Sequence, residues 1–304
     1  MSTGDVIAVP LRARDRRWWS AFASELKGVA AEPRGFIALL LLVVLIGFAY
    51  VLPVFDSTDP NLIGDGPKNQ GISWDAPLGT DHLSRDLLAR NSIGLGRTIF
   101  NGLGAVIVGW LVGIAIGYIS GWRGARTDTV LMRAIDTLLA FPGILLAIVM
   151  ITILRDIDFG GDLFPLAVAI AVFNIPVSAR LARAGVLRER ERDYVLAART
   201  IGCSGGRVLV RHVAVNTFGA FTVQLPIAVV ASVLTMAALN FLGLGARPPD
   251  PTLGQLLLDG SRFMRNAPHY VVAPTLILAL LMAALNFLSD VLSERLDPVR
   301  RRRV

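Results

Sequence analysis

Residues Gly109-Trp-Leu-Val-Gly113-Ile-Ala-Ile-Gly117-Tyr-Ile-Ser-Gly121 decide how the rest of the chain is read. The stretch carries no charge and lies mostly within an apolar run at 99–120. That is long enough for a helix to cross the hydrocarbon core, which takes about 20 residues. Gly109, Gly113, Gly117 and Gly121 recur every four positions, so they line one helix face. Small residues at this spacing let two helix backbones approach closely where no water drives them together. The spacing serves either packing inside one subunit or packing at a subunit interface or moving gate.

Outward from this run, further stretches of the same kind lie at 35–54, 132–154, 164–183, 219–243 and 271–292, making six predicted spans. Asn174 and Pro176 interrupt the run at 164–183. Proline is tolerated in a span where neighbouring helices satisfy the freed carbonyl. Of the 304 residues 54% are hydrophobic and 17% charged, and the mean hydropathy is +0.59. This composition excludes an ordinary soluble domain and predicts an all-α, polytopic membrane protein.

Lys and Arg set the orientation. With the N-terminus cytoplasmic, 22 of the 30 Lys and Arg fall inside and eight outside. The inside segments are the 1–34 tail, 121–133, 180–211 and a basic tail at 293–304. This predicts that both termini are cytoplasmic. The first apolar run has no small-residue cleavage site after it, so it reads as a retained span. The 55–98 segment, rich in Pro, Gly, Asp and Asn, becomes an ordered extracytoplasmic loop, with a short helix near 83–92.

The net charge of +7 comes from arginines beside apolar spans, as membrane topology requires, and does not indicate a nucleic-acid partner. One cysteine, Cys203, rules out an internal disulfide and a cysteine metal cage. His82, His212 and His269 fall on different sides of the predicted membrane and form no metal site. No GxxxxGK[ST] phosphate loop is present, so the chain does not hydrolyse ATP itself. Asn101, Asp136, Asn174, Gln224, Asn240, Asn286 and Asp290 lie within spans. Polar groups there face the bundle interior, a water path or a membrane surface. Asn174, Gln224, Asn240 and Asn286 are the candidates for lining a translocation path, with interhelical hydrogen bonding as the alternative.

The most informative connection is 184–216. Asp193-Tyr194-Val-Leu196-Ala197-Ala198-Arg199-Thr-Ile-Gly202, followed by Cys203-Ser-Gly-Gly-Arg, reads as helix, glycine turn, helix. Asp193 is favourable in a first turn, and Gly202 stands where a C′ glycine is expected. Ala197 and Ala198 are small enough to admit a partner surface. A solvated amphipathic connector is the plainer reading of the same residues.

Tyr194-Val-Leu-Ala197-Ala198-Arg-Thr-Ile-Gly202, with Arg211-His212 and Asn216 downstream, resembles the EAA loop of ABC-type importer permeases. Leu196 stands where that family usually has glutamate, and Val215 where it usually has proline. Leu78-Gly-Thr-Asp81-His-Leu-Ser84-Arg85-Asp86 resembles the LGTDxxGRD element of dipeptide/oligopeptide permeases, with Ser84 for glycine. Asp81 would cap the helix starting near His82. Phe241-Leu-Gly-Leu-Gly245 with Pro248-Pro249-Asp-Pro251-Thr-Leu253-Gly254 resembles FLGLG…PP.P.WG, with Leu253 for tryptophan. Asn286-Phe-Leu-Ser289-Asp290 through Leu296-Asp297-Pro298 resembles the closing NxxGDxLRDxLDP. Together these elements cover about 35–300.

The resemblance implies a C-type permease subunit with the type I importer fold, in a bacterial plasma (inner) membrane. It also implies a B-type permease partner, two cytoplasmic ATPase subunits that bind ATP and Mg, and an extracytoplasmic substrate-binding protein. The chain itself would bind no cofactor and no catalytic residue is expected. Asp193, Tyr194, Leu196, Ala197, Ala198, Arg199, Gly202 and Cys203 would form the ATPase-coupling segment. The expected cargo is a dipeptide or oligopeptide, with nickel, haem or glutathione-like compounds as alternatives within the family. An ion-coupled secondary transporter would need a buried charged relay, and none is evident in the sequence. A purely structural membrane protein would lack a polar path.

Overall fold

The computed structural model describes residues 27–55, 58–155, 161 and 163–296. Most of the expected N-terminal tail and the basic end at 297–304 lie outside them. Among the described residues the fold is helical, apart from one isolated bridge between Thr80 and Asp86. Helix α1 runs Pro33–Phe55, α2 Leu87–Arg123, α3 Ala125–Ala140, α4 Gly143–Leu154 and α5 Phe164–Glu189. Helix α6 is Asp193–Thr200, α7 Gly205–Phe241, α8 Leu253–Ser261 and α9 His269–Leu296. α1, α2, α5, α7 and α9 are each long and apolar enough to cross a membrane, and α3 with α4 passes the same test only as a pair bent by 93°, a broken span or a re-entrant loop.

Two boundaries depart from expectation. α2 begins at Leu87, so the loop predicted to reach residue 98 ends at Asp86 and contains no separate helix at 83–92. The first turns of α2 carry Arg90, Asn91, Ser92 and Arg97, which hid them from an apolar-length criterion. Each is bonded within the fold. Asn91 Nδ2 donates to the Leu87 carbonyl at 2.8 Å, Ser92 Oγ donates to the Phe48 carbonyl at 2.8 Å, and Arg97 pairs with Asp250 at 2.9 Å. At about 1.5 Å per residue, the 37 residues of α2 reach roughly 55 Å, well beyond a hydrocarbon core of about 30 Å. The predicted single span at 132–154 is the second departure. It breaks at Phe141-Pro142, where Phe141 is extended (φ −87°, ψ 135°), as the residue before a proline prefers. Pro176, Pro226 and Pro274 sit inside continuous helices. At the break, Pro142 is followed by Gly143, a poor helix former.

The glycine face of α2 meets α5 of the same chain. A Cβ on Gly109 would overlap the Ala171 carbonyl oxygen, and one on Gly113 would lie 2.5 Å from the Ile175 carbonyl oxygen. A Cβ on Gly117 would lie 2.6 Å from Ala182 Cβ, and one on Gly121 2.9 Å from Val186 Cβ. Contacts advance in the same direction on both helices, so α2 and α5 run parallel. The receiving stripe of Ala171, Ser178, Ala179 and Ala182 is itself small, which is what permits this approach. Of the two readings of the spacing, this face is occupied by packing within the subunit.

Both helix interruptions of a second kind are π turns, at Gly47–Val51 in α1 and Leu209–Val213 in α7. In α1 the turn carries Tyr50, whose hydroxyl donates to the Gly96 carbonyl of α2 at 3.0 Å.

Candidate functional site: the 184–216 connection and the opposite loop face

The 184–216 segment folds as a hairpin whose small core is Val186, Val195, Ala198, Val208 and Val213. α6 ends in a Schellman motif. Gly202 has φ +84°, its N–H donates to the Arg199 carbonyl at 3.0 Å, and Cys203 N–H donates to Ala198 at 3.1 Å. Glycine tolerates this left-handed conformation without a Cβ penalty.

The coupling candidates divide between two faces. Asp193, Leu196, Ala197, Arg199 and Gly202 are exposed. Ala198 is not: it is 7% exposed and packs inward with the valines, while Tyr194 and Cys203 are partly buried beside it. Of the two alanines expected to admit a partner, Ala197 is exposed and Ala198 is buried. Helical periodicity places 197 and 198 on different sides of α6. Ile201, which no motif singles out, is 80% exposed and sits next to the turn. The Arg199 guanidinium lies 4.6 Å above the Trp122 ring, a cation–π contact that orients it against the end of α2. Arg190 Nη1 donates to the Gly121 carbonyl at 3.1 Å. Trp122, Arg190, Glu191, Leu196 and Arg199 line an open cleft there.

Tyr194 is held from two sides. Its hydroxyl donates to Glu189 Oε2 at 2.6 Å and accepts from Asn216 Nδ2 at 3.0 Å. Burial, and then the bond to the Glu189 carboxylate, push its phenol above the usual tyrosine range.

The path candidates also divide. Asn174 is 4% exposed, and its amide donates to Ile170 O and Ser232 Oγ, each at 2.9 Å, tying α5 to α7. Asn240 is 1% exposed and donates to Met236 O at 2.8 Å. Its Oδ1 accepts from Ala246 N at 3.0 Å and Thr252 Oγ1 at 3.2 Å, which organises the loop into α8. Both amides thus bond within the subunit. Gln224 on α7 is half-buried and Asn286 on α9 exposed, so both remain reachable from outside the subunit.

At the opposite end of the bundle, residues 58–86 fold over the loops flanking α8. Asp81 does not cap a helix at His82. Ser84 adopts φ +60°, and the helix cap is Asp86, whose carboxylate accepts from Leu88 N and Ala89 N. Asp81 instead accepts from Leu83 N at 2.8 Å, Arg85 N at 2.9 Å and Arg85 Nε at 2.6 Å, with Arg90 Nε 3.5 Å away. Arg90 Nη1 donates to Pro60 O at 2.9 Å and Pro249 O at 3.3 Å, and His82 stacks on Phe263 with ring centroids 5.0 Å apart. The described residues contain no group of three or more His, Cys, Asp or Glu placed to hold a metal.

Comparison with known proteins assigns this architecture. The family model for binding-protein-dependent transport system inner membrane components matches residues 113–302. The glutathione transport system permease protein GsiD of Pectobacterium atrosepticum is 34% identical over 286 residues, covering 93% of this chain and 90% of that protein. The dipeptide transport system permease protein DppC of Haemophilus influenzae is 34% identical over 267 residues, covering 87% and 89%. An inward-facing structure of the MetNI methionine ABC transporter aligns with a TM-score of 0.53 at 18% identity, covering 66% of this chain and 95% of that one. The last shows a shared fold, and the match over more than half of the sequence decides the rest: the chain belongs to the family of binding-protein-dependent transport system inner membrane components.

Proposed function

We propose that this permease imports dipeptides or oligopeptides, driven by ATPase subunits that dock on the 184–216 hairpin. Both termini then lie in the cytoplasm and the 58–86 loop faces outward, the orientation favoured by the excess of Lys and Arg at the hairpin end. A B-type permease completes the pore, and an extracytoplasmic binding protein delivers cargo. ATP and Mg sit on the ATPases, whose closure moves the hairpin and switches the spans between inward- and outward-facing. The rigid α2–α5 pair suits such a pivoting motion. Gln224 and Asn286 are the in-span amides available to the path.

The carrying observation is the outer face of α6 and its turn. Leu196 and Ile201 are 52% and 80% exposed on a capped, ordered hairpin that has its own core. Apolar side chains exposed on an ordered feature at the Lys- and Arg-rich end suit a partner surface. Ala197→Arg places a long charged side chain on that face without disturbing the valine core. ATPase subunits co-purifying with the permease should fall at least ten-fold, which corresponds to about 1.4 kcal/mol of lost docking free energy. Undiminished co-purification together with normal uptake would show that the ATPases dock elsewhere.

Glutathione is the second cargo reading, because a glutathione permease matches as well as a dipeptide permease does. Proteoliposomes holding the complete transporter, supplied with its binding protein, should accumulate labelled dialanine in preference to labelled glutathione. The reverse preference would move the assignment to glutathione.

A further inference from the structure

Within the docking hairpin, α6 is joined to its flanking helices by short connectors, residues 190–192 to α5 and 201–204 to α7. Its core has five buried side chains, and apolar contact fixes no direction. One oxygen supplies direction. Tyr194 Oη donates at 2.6 Å to Glu189, the last residue of α5, and accepts at 3.0 Å from Asn216, just inside the regular part of α7. The Glu189 side chain is only 9% exposed, and its other oxygen faces Arg188 at 3.6 Å and Arg192 at 3.9 Å. Asn216 stands three residues after the π turn Leu209–Val213. Such turns are places where a helix shifts register, and they are frequent at functional sites. Three elements that the backbone connects only through short linkers therefore meet at one phenol.

We infer that the chain Glu189–Tyr194–Asn216 is the tie that makes α5, the docking hairpin and α7 move as one body, so that ATPase closure is transmitted to the spans. These are positioning residues, and the inference rests on the ATPase-coupling reading above. Without the hydroxyl, the hairpin still packs on its valines and still presents Leu196, Ala197 and Ile201. It can then tilt on its connectors, and the motion of the ATPases is absorbed locally.

The test uses the complete transporter in nanodiscs. The readout is the ratio of ATP hydrolysis with the cognate binding protein added to hydrolysis without it. Tyr194→Phe keeps the ring and should lower this ratio about ten-fold or more, the range expected from one hydrogen bond to a charged group. Asn216→Ala should lower it less, and the double variant should be no worse than Tyr194→Phe alone, because both remove one chain. Glu189→Gln retains an acceptor oxygen and should recover part of the ratio. A residue that matters only for stability reduces the amount of transporter and scales both rates together, leaving the ratio in place. A ratio within two-fold of wild type in Tyr194→Phe, or additive losses in the double variant, would overturn the tie. Wild-type transporter that its binding protein does not stimulate, or ATPases still bound to Ala197→Arg, would overturn the coupling reading and the tie with it.

Discussion

Leucine at Gly113 or Gly117 is expected to abolish the folded permease, seen as loss of monodisperse transporter after detergent extraction. At Gly113 even a methyl meets the Ile175 carbonyl oxygen and Ser178 Oγ, and at Gly117 it meets the Ala179 carbonyl oxygen and Ala182 Cβ. Backbone oxygens cannot swing aside as a flexible side chain can, so α2 and α5 must separate along their whole seam. Overpacking of this kind costs about 1–3 kcal/mol for small intrusions and more for large ones. A leucine adds three carbons beyond the methyl that already clashes. Gly104 lies on the same helix and a Cβ there meets nothing within 4 Å. Gly104→Ala should therefore be tolerated, and even gain up to about 1 kcal/mol of helix propensity. Equal tolerance of Gly104→Ala and Gly117→Leu would show that the seam is not close-packed.

The same seam shows how far the sequence could be read. Spacing of four identified the glycine face, because helix geometry converts spacing into a stripe directly. It did not identify the receiving helix. The stripe on α5 mixes Ala171, Asn174, Ser178, Ala179 and Ala182, and Asn174 and Pro176 made that helix look like a poorly formed span. In the structure Asn174 strengthens the seam's surroundings by bonding across to Ser232, so a residue that lowered the apolar score is part of the packing. The start of α2 was obscured in the same way: Arg90 and Ser92 are satisfied by partners 30 to 159 positions away. Long-range pairing of this sort leaves no local periodicity.

For the hairpin, the turn chemistry was readable and the facing was not. Gly202 at a positive-φ position follows from local rules, which the Schellman bonds express. Whether Ala197 or Ala198 points outward depends on where the valines of three separate segments converge, at Val186, Val195, Val208 and Val213. The tie through Tyr194 was likewise hidden, since Glu189 and Asn216 are 27 residues apart and each reads as an ordinary solvated polar residue on its own.

Asp81→Ala should cost about 3–5 kcal/mol, the penalty for removing one partner of a buried ion pair. Asp81 is fully buried, and the Arg85 and Arg90 side chains are only 5% and 2% exposed. Its loss leaves two guanidiniums buried against each other without their shared carboxylate. It also removes the acceptor for Leu83 N and Arg85 N, which shape the turn ahead of α2. Because Arg90 bonds to Pro60 and Pro249, the damage should spread to both loops on this face rather than remain at the turn. Limited proteolysis is the direct measurement: cleavage at Lys68 and Arg85 by trypsin should become fast in Asp81→Ala while the hairpin end keeps its wild-type pattern. Asp81→Asn keeps the acceptor for the turn and loses the charge, so it should fall between the two. If Asp81→Asn were as damaging as Asp81→Ala, the charge would dominate. If it behaved as wild type, the turn hydrogen bonds would carry the site and the ion pair would contribute little.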